Sequence, residues 1–239
     1  MRKLPEINCD LGEGMADECQ IYPLIDSASI ACGGHYGDED SMNESLSLAK
    51  QHCKKVGAHP SYPDKQHFGR KTIKISAKDL TKSILVQIVK FEQLAEKKGM
   101  QMDHIKFHGA LYNDAAAHSE VADLLTDFIA DHFHNTPILA PPHSQLEKHL
   151  NQKGLNCRTE VFGDRGYLDN YLLMPRNIFG SHMTTEPEIS SHLENLLKNG
   201  YLLSHQGKKL KVAAETICFH GDNPGIGDFL PTIRKKYWK

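Results

Sequence analysis

The chain has 239 residues, with 28 basic and 30 acidic side chains and a formal net charge of -2. Its sequence pI is about 6.7, so there is no basic excess to hold a phosphate backbone, and neither nucleic acid nor an anionic membrane is an expected partner. Mean hydropathy is -0.48, and no apolar run approaches the roughly 18 residues that span a bilayer.

The opening MRKLPEINCDLGEG lacks the apolar stretch of a secretory signal. Six cysteines are scattered with no C-x-x-C pair, which points to reduced, buried thiols and a cytoplasmic setting. Strands are expected over 6–10, 27–32 and 55–59, the last two separated by a helix that Asp38 or Asp40 starts and that runs through Leu46 and Ala49 to Lys54. Ser76-Ala77-Lys78-Asp79 is a capping signal. Behind it Leu80, Ile84, Ile88, Phe91 and Ala95 step by three and four, and Gly99 closes the helix after two lysines. A fourth strand is expected over 104–108, then a helix through Val121, Leu125 and Phe128, a fifth strand over 137–141 and a sixth over 158–162. Ile189, Leu193, Leu196 and Leu197 make a helix ended by Asn199-Gly200. A seventh strand over 216–220 and a last helix over 227–237 complete the pattern.

Alternating strands and helices, with no linker or repeat, argue for parallel β/α units in one domain over 1–239. Seven strands suit a closed barrel or an open doubly wound sheet, and the pattern alone leaves both open. In either case ligands bind at the C-terminal ends of the strands. Chemistry-bearing residues recur there: Asp10 and Glu13, His35, His59, Lys106 and His108, His143, Glu160 with Asp164 and Arg165, and His220 with Asp222. Each has an ordinary explanation taken singly, such as a turn histidine or, for Asp38, a helix cap. Repetition at the same address is what points to an enzyme.

There is no G-x-S-x-G elbow and no G-x-x-x-x-G-K-[ST] phosphate loop. What remains is carboxylate, imidazole and guanidinium. Carboxylates and imidazoles activate water, directly or through a divalent metal, and arginines grip carboxylates and phosphates. The set reads as hydrolysis of a small anionic molecule. Asp10 with His35 and His59 would make a three-ligand metal site, if a metal is used.

The stretches NCDLGEG (8–14), IACGGHYGDED (30–40), GAHPSYPD (57–64) with FGR (68–70), KFHGALYN (106–113), EVFGDRGY (160–167), LMPRN (173–177) and ICFHGDNPG (217–225) resemble the LamB/YcsF family in order over nearly the whole chain. Phe107 and Gly34 depart from that family's usual proline and phenylalanine, and the loop after Gly14 is shorter. The resemblance implies an α/β fold: a seven-stranded parallel β/α barrel of the glycoside hydrolase/deacetylase kind. It also implies ATP-dependent hydrolytic opening of 5-oxo-L-proline (pyroglutamate) to L-glutamate. Two further subunits, B and C, would then be partners and would be the ones to use ATP. With that reaction in view, Asp10 is the first choice for general base, and His35, His59 and His108 line the floor. Lys106, Arg70 and Arg176 meet the substrate carboxylate or phosphate, with Asn113, Glu160 and Arg165 nearby. His220 and Asp222 protonate the leaving nitrogen or steer the base. A stand-alone metal-dependent amide or carbohydrate deacetylase, and a non-catalytic subunit that only carries substrate, are the alternatives.

Overall fold

Neighbouring residues on a strand face opposite sides of a sheet, and here that alternation separates apolar from polar. In the first strand, β1 (Glu6–Leu11), Ile7, Cys9 and Leu11 are fully buried in the apolar core, while Asn8 and Asp10 bond to polar groups inside the barrel. The computed structural model describes residues 4–238. After β1 come α1 (Glu18–Ile21), β2 (Ser27–Ala31), α2 (Glu39–Gln51), β3 (Lys55–His59), α3 (Ala77–Lys97), β4 (Met102–Ile105), α4 (Gly109–Ala117) and α5 (Ser119–His132). The chain continues through β5 (Ile138–Ala140), α6 (Gln145–Gln152), β6 (Cys157–Phe162), α7 (Glu186–Glu194), β7 (Tyr201–Leu203), β8 (Lys209–Lys211), β9 (Thr216–His220) and α8 (Ile226–Tyr237).

Seven parallel strands close in the order β1-β2-β3-β4-β5-β6-β9. The fold is therefore the barrel, not the open sheet. β3 and β9 match their expected bounds to the residue. The expected fourth strand is shifted: its pairing covers Met102–Ile105, and Lys106 to His108 continue as chain tied to the extension of β3. Lys106 N–H donates to Ala58 O (3.0 Å) and His108 N–H to Pro60 O (2.8 Å). β5 pairs with β4 only at Ile105 and Ile138, so the ladder ends there on that side.

Asp38 is the N-cap of α2, its Oδ1 accepting from the Asp40 and Ser41 amides, so the ordinary reading of that residue holds. Ser76 caps α3 as its spacing predicts. Beyond Glu194 the helix widens to a π-helical turn over Asn195–Asn199, ended by Gly200 in the left-handed conformation. Two features go unannounced in the sequence: α1 and the antiparallel β7–β8 hairpin. Each is too short or too polar to write a periodic pattern. Of the cysteines, Cys9, Cys32 and Cys218 are buried, but Cys19 and Cys53 are exposed, so the expectation of buried thiols holds in part. Among the described residues no helix is long and apolar enough to cross a membrane.

The barrel interior is polar for most of its depth. His104, fully buried, bonds Ser29 Oγ (3.0 Å) and lies directly over Gly57, where a Cβ would come within 2.4 Å of its ring. Above it Asn8 donates to Glu160 Oε1 (2.9 Å) and Thr216 Oγ1 (2.7 Å). This layer supports the residues at the mouth.

Candidate active site

A cavity of about 640 Å³ opens at the C-terminal ends of the strands. Its deep end is an ion pair. Lys106 Nζ lies 2.7 Å from Asp10 Oδ1 and 3.0 Å from Glu160 Oε1, with all three residues buried. Burial opposes charge on each partner. Against it, His59 and Lys106 hold the Asp10 carboxyl well below the usual carboxylate range, and Asp10, with Cys218 and Glu160, holds the Lys106 ammonium well above the usual lysine range. Tyr112 Oη donates to Glu160 Oε2 (2.8 Å), so Glu160 is fully engaged below the cavity. It does not line the cavity, contrary to its expected place against the substrate.

Beside Asp10 stands a group of four: Glu13, His35, His59 and His108. One ligand-type atom from each lies within 4.8 Å of all the others, and every member is buried. The expected metal set is Asp10, His35 and His59; in the structure Glu13 and His108 take part, while the Asp10 carboxylate is drawn to Lys106. Glu13 is presented by a loop that α1 organises. The Glu18 carboxylate accepts from the Gly12 (2.8 Å), Glu13 (2.9 Å) and Met15 (3.3 Å) amides. Burial pushes the Glu13 carboxyl up to about 7 despite the opposing charge of His59. His35 and His108 stack face to face with centroids 3.6 Å apart, and burial, followed by neighbouring imidazoles, holds both well below the usual histidine range.

The other wall comes from the stretch after β6. Residues 163–185 form no helix or named strand, only isolated bridges such as Arg165 to His182, and they fold back over the mouth. Leu168, Leu172, Leu173, Met174 and Pro175 line the cavity from this side. Arg165 also faces it, but its Nε donates to Ser181 O (3.0 Å) and an Nη to Met174 O (2.7 Å), so it braces the excursion.

At the rim, His220 Nδ1 bonds Asp164 Oδ1 (2.9 Å), and the same carboxylate accepts from the His220 amide (3.1 Å) and Asn223 Nδ2 (3.0 Å). Burial disfavours ionised Asp164, yet His220 and these hydrogen bonds pull its carboxyl down to about 2. An ionised Asp164 can only accept, so His220 Nδ1 carries a hydrogen, and the ring presents its other nitrogen for acid–base work. Asp222, expected to act with His220, instead pairs with Arg70 and lies 3.6 Å from Arg176. Both arginines line the cavity.

The structure thus brings Asp10, His59, Arg70, Lys106, His108, Asn113, Arg165, Arg176 and His220 to one cavity, with His35 packed on His108 behind it. Glu160 and Asp222 act on other side chains and do not line it. Glu13 and Asp164 belong to the polar set of the sequence but have no role there. The signal for Asp164 is its position just past β6, beside the strand that carries His220. The apolar wall of 168–175 has no periodic signal at all. Chemically, the site combines an ionised buried carboxylate, an oriented imidazole and two rim guanidiniums. That set can take a proton from water, give one to a leaving group and hold an anion.

The LamB/YcsF family model matches residues 5–239. A protein of Symbiobacterium thermophilum, named as the A subunit of 5-oxoprolinase, is 36% identical over 242 aligned residues, covering 99% of this chain and 92% of that protein. One of Pyrococcus abyssi with the same name is 35% identical, covering 96% and 92%. Among solved structures, a lactam utilization protein from Thermus thermophilus superposes with a TM-score of 0.89 at 29% identity, covering 99% of this chain and 97% of that one.

Proposed function

Since this chain belongs to the LamB/YcsF family, we propose that it serves as the A subunit of an ATP-dependent 5-oxoprolinase, opening 5-oxo-L-proline to L-glutamate with B and C subunits. The observation that carries this reading is the cavity in which ionised Asp10 lies at the deep end while Arg70 and Arg176 stand at the rim. A lactam bearing one carboxylate fits that polarity: the carboxylate meets a guanidinium and the ring points down towards Asp10.

A five-membered lactam is an unreactive amide. Phosphorylation of its carbonyl oxygen makes the ring carbon electrophilic and creates a leaving group. In this reading the partners use ATP for that step, which fits the lack of a phosphate loop in this chain. Here, a water adds at the ring carbon and gives its proton to Asp10. The C–N bond then breaks as His220, oriented by Asp164, protonates the ring nitrogen. A second water displaces phosphate from the resulting acyl phosphate and leaves the γ-carboxylate of glutamate. Arg70 and Arg176, tied to Asp222, hold the substrate anion throughout.

The test is glutamate formation from 5-oxoproline by the chain alone and with B and C subunits, each with and without ATP. Turnover only with all subunits and ATP is expected. A second reading, a stand-alone metal-dependent amide or carbohydrate deacetylase, draws on the group of Glu13, His35, His59 and His108. Turnover by this chain alone without ATP would favour it and overturn the first.

A further inference from the structure

His59 and His108 point ring nitrogens at one another, and Asp10 Oδ2 stands 3.5 Å from the same His59 nitrogen. His59 Nδ1 lies 2.8 Å from the carbonyl oxygen of Lys106, and His108 Nε2 lies 3.0 Å from the carbonyl oxygen of Phe68. A carbonyl oxygen only accepts, so each of these nitrogens carries the ring's hydrogen. When the rings are neutral, the remaining nitrogens, His59 Nε2 and His108 Nδ1, are lone-pair acceptors. They face each other at 3.0 Å. Two acceptors at that distance repel unless a cation stands between them.

The same point is approached by further donors. Glu13 Oε1 lies 3.3 Å from His108 Nδ1, 3.9 Å from His59 Nε2 and 3.0 Å from His35 Nε2. A tetrahedral ion with bonds of about 2.1 Å separates its ligands by roughly 3.4 Å, which falls among these distances, and the whole group lies within 4.8 Å. A proton bridges one pair of these atoms at a time, whereas a divalent ion serves all four.

The frame is preorganised. Both pinned imidazoles donate their distal N–H to a backbone carbonyl, the arrangement that fixes tautomer and ring plane in metal-ligating histidines. One of those carbonyls belongs to Phe68, whose φ of +54° is in the left-handed region, rare for a bulky side chain. Strain of this kind persists where surrounding structure holds it for a purpose. Here it turns the Phe68 carbonyl onto His108 and packs the Phe68 ring edge-on against His35 and His108, with centroids 5.2 and 5.5 Å away.

We propose that Glu13, His35, His59 and His108 form a binding site for one divalent transition-metal ion of the zinc class, next to Asp10. Three imidazoles and one carboxylate make a borderline donor set, suited to zinc, nickel, cobalt or iron rather than to magnesium or calcium. A bound divalent cation takes the place of any ring proton on these nitrogens, while Asp10 is already matched by Lys106. An ion at this place is a Lewis acid beside the deep end of the cavity.

The full-length chain is stripped with a chelator, dialysed against Zn²⁺, Co²⁺ or Mg²⁺, and its metal content measured. Roughly one zinc or cobalt per chain is expected, with visible absorption from bound cobalt and no retained magnesium. Glu13→Gln and His108→Gln each weaken binding by at least about tenfold, and the outlying His149→Gln leaves it unchanged. Zinc raises the melting temperature of the wild type more than that of either site variant. Wild-type chain that retains less than about a tenth of an equivalent, or folded Glu13→Gln and His108→Gln chains that bind as wild type, overturns the proposal. Neither substrate nor any partner enters this test, so its outcome is separate from that of the oxoprolinase assay.

Discussion

Lys106 Nζ reaches across the barrel interior to Asp10 Oδ1 at 2.7 Å, and both side chains are buried. The pair places the ionised carboxylate and fixes the floor of the cavity. Its partner Glu160 makes the lysine the centre of a three-residue network. Replacing Lys106 with Met keeps the bulk and leaves two buried carboxylates without their cation. That change is expected to cost about 3–5 kcal/mol of folding stability, read from urea unfolding. A loss under about 1 kcal/mol would mean that solvent reaches the pair and that the network is not closed.

The dyad at the rim makes a separate prediction. Asp164→Asn keeps the shape but removes the charge that accepts from His220 Nδ1 and orients its ring. In the assembled enzyme kcat is expected to fall by about 10²-fold or more, with a changed pH profile and little change in KM. The double variant with His220→Gln should be little worse than either single one, because the two residues act as one unit. Additive losses would show that Asp164 acts independently of His220.

Asp164 also links stability to pH. Its folded carboxyl is depressed to about 2, below the ordinary value of about 3.9 in the unfolded chain. The folded form therefore gains stability above the unfolded pKa and loses it as pH falls through the folded one. About 2 kcal/mol should disappear between roughly pH 4 and pH 2, a loss that Asp164→Asn does not show. Equal acid slopes for the two chains would contradict the burial and bonding described.

Gly57 makes room for His104. A Cβ at that position would sit 2.4 Å from the imidazole, which is held by Ser29 and Asp103. Gly57→Ala is expected to destabilise the barrel by about 1–3 kcal/mol through overpacking. Ala58→Gly next to it, on the outward face of β3, removes only a methyl group and a little backbone stiffness and should cost about 1 kcal/mol. Reversal of that order would place the His104 ring elsewhere.

The strands are legible because β/α units write strong local signals: β3 and β9 are delimited to the residue, and Ser76 and Asp38 announce their helices. The segment DHIKFHGALYN is legible for its chemistry but shifted in its structure. Lys106 and His108 do share a face, but Lys106 is the buried cation of Asp10 and His108 meets His59 one layer nearer the mouth. Depth within a barrel is set by register between strands far apart in sequence, so no local pattern reports it. For the same reason the sequence points Glu160 at the substrate, and pairs Asp222 rather than Asp164 with His220. The excursion over 163–185 has no periodicity, so its apolar wall emerges only when the chain folds back across the mouth.

The role of Asp10 as the base of a ring-opening site is the central claim. The decisive measurement is steady-state glutamate formation by Asp10→Asn chain assembled with B and C subunits and supplied with ATP. The charge is lost while the shape is kept, so kcat is predicted to fall by at least about 10²-fold with 5-oxoproline binding retained. Turnover within about twofold of the wild type would contradict that role and make this chain a carrier of substrate, with the chemistry done elsewhere.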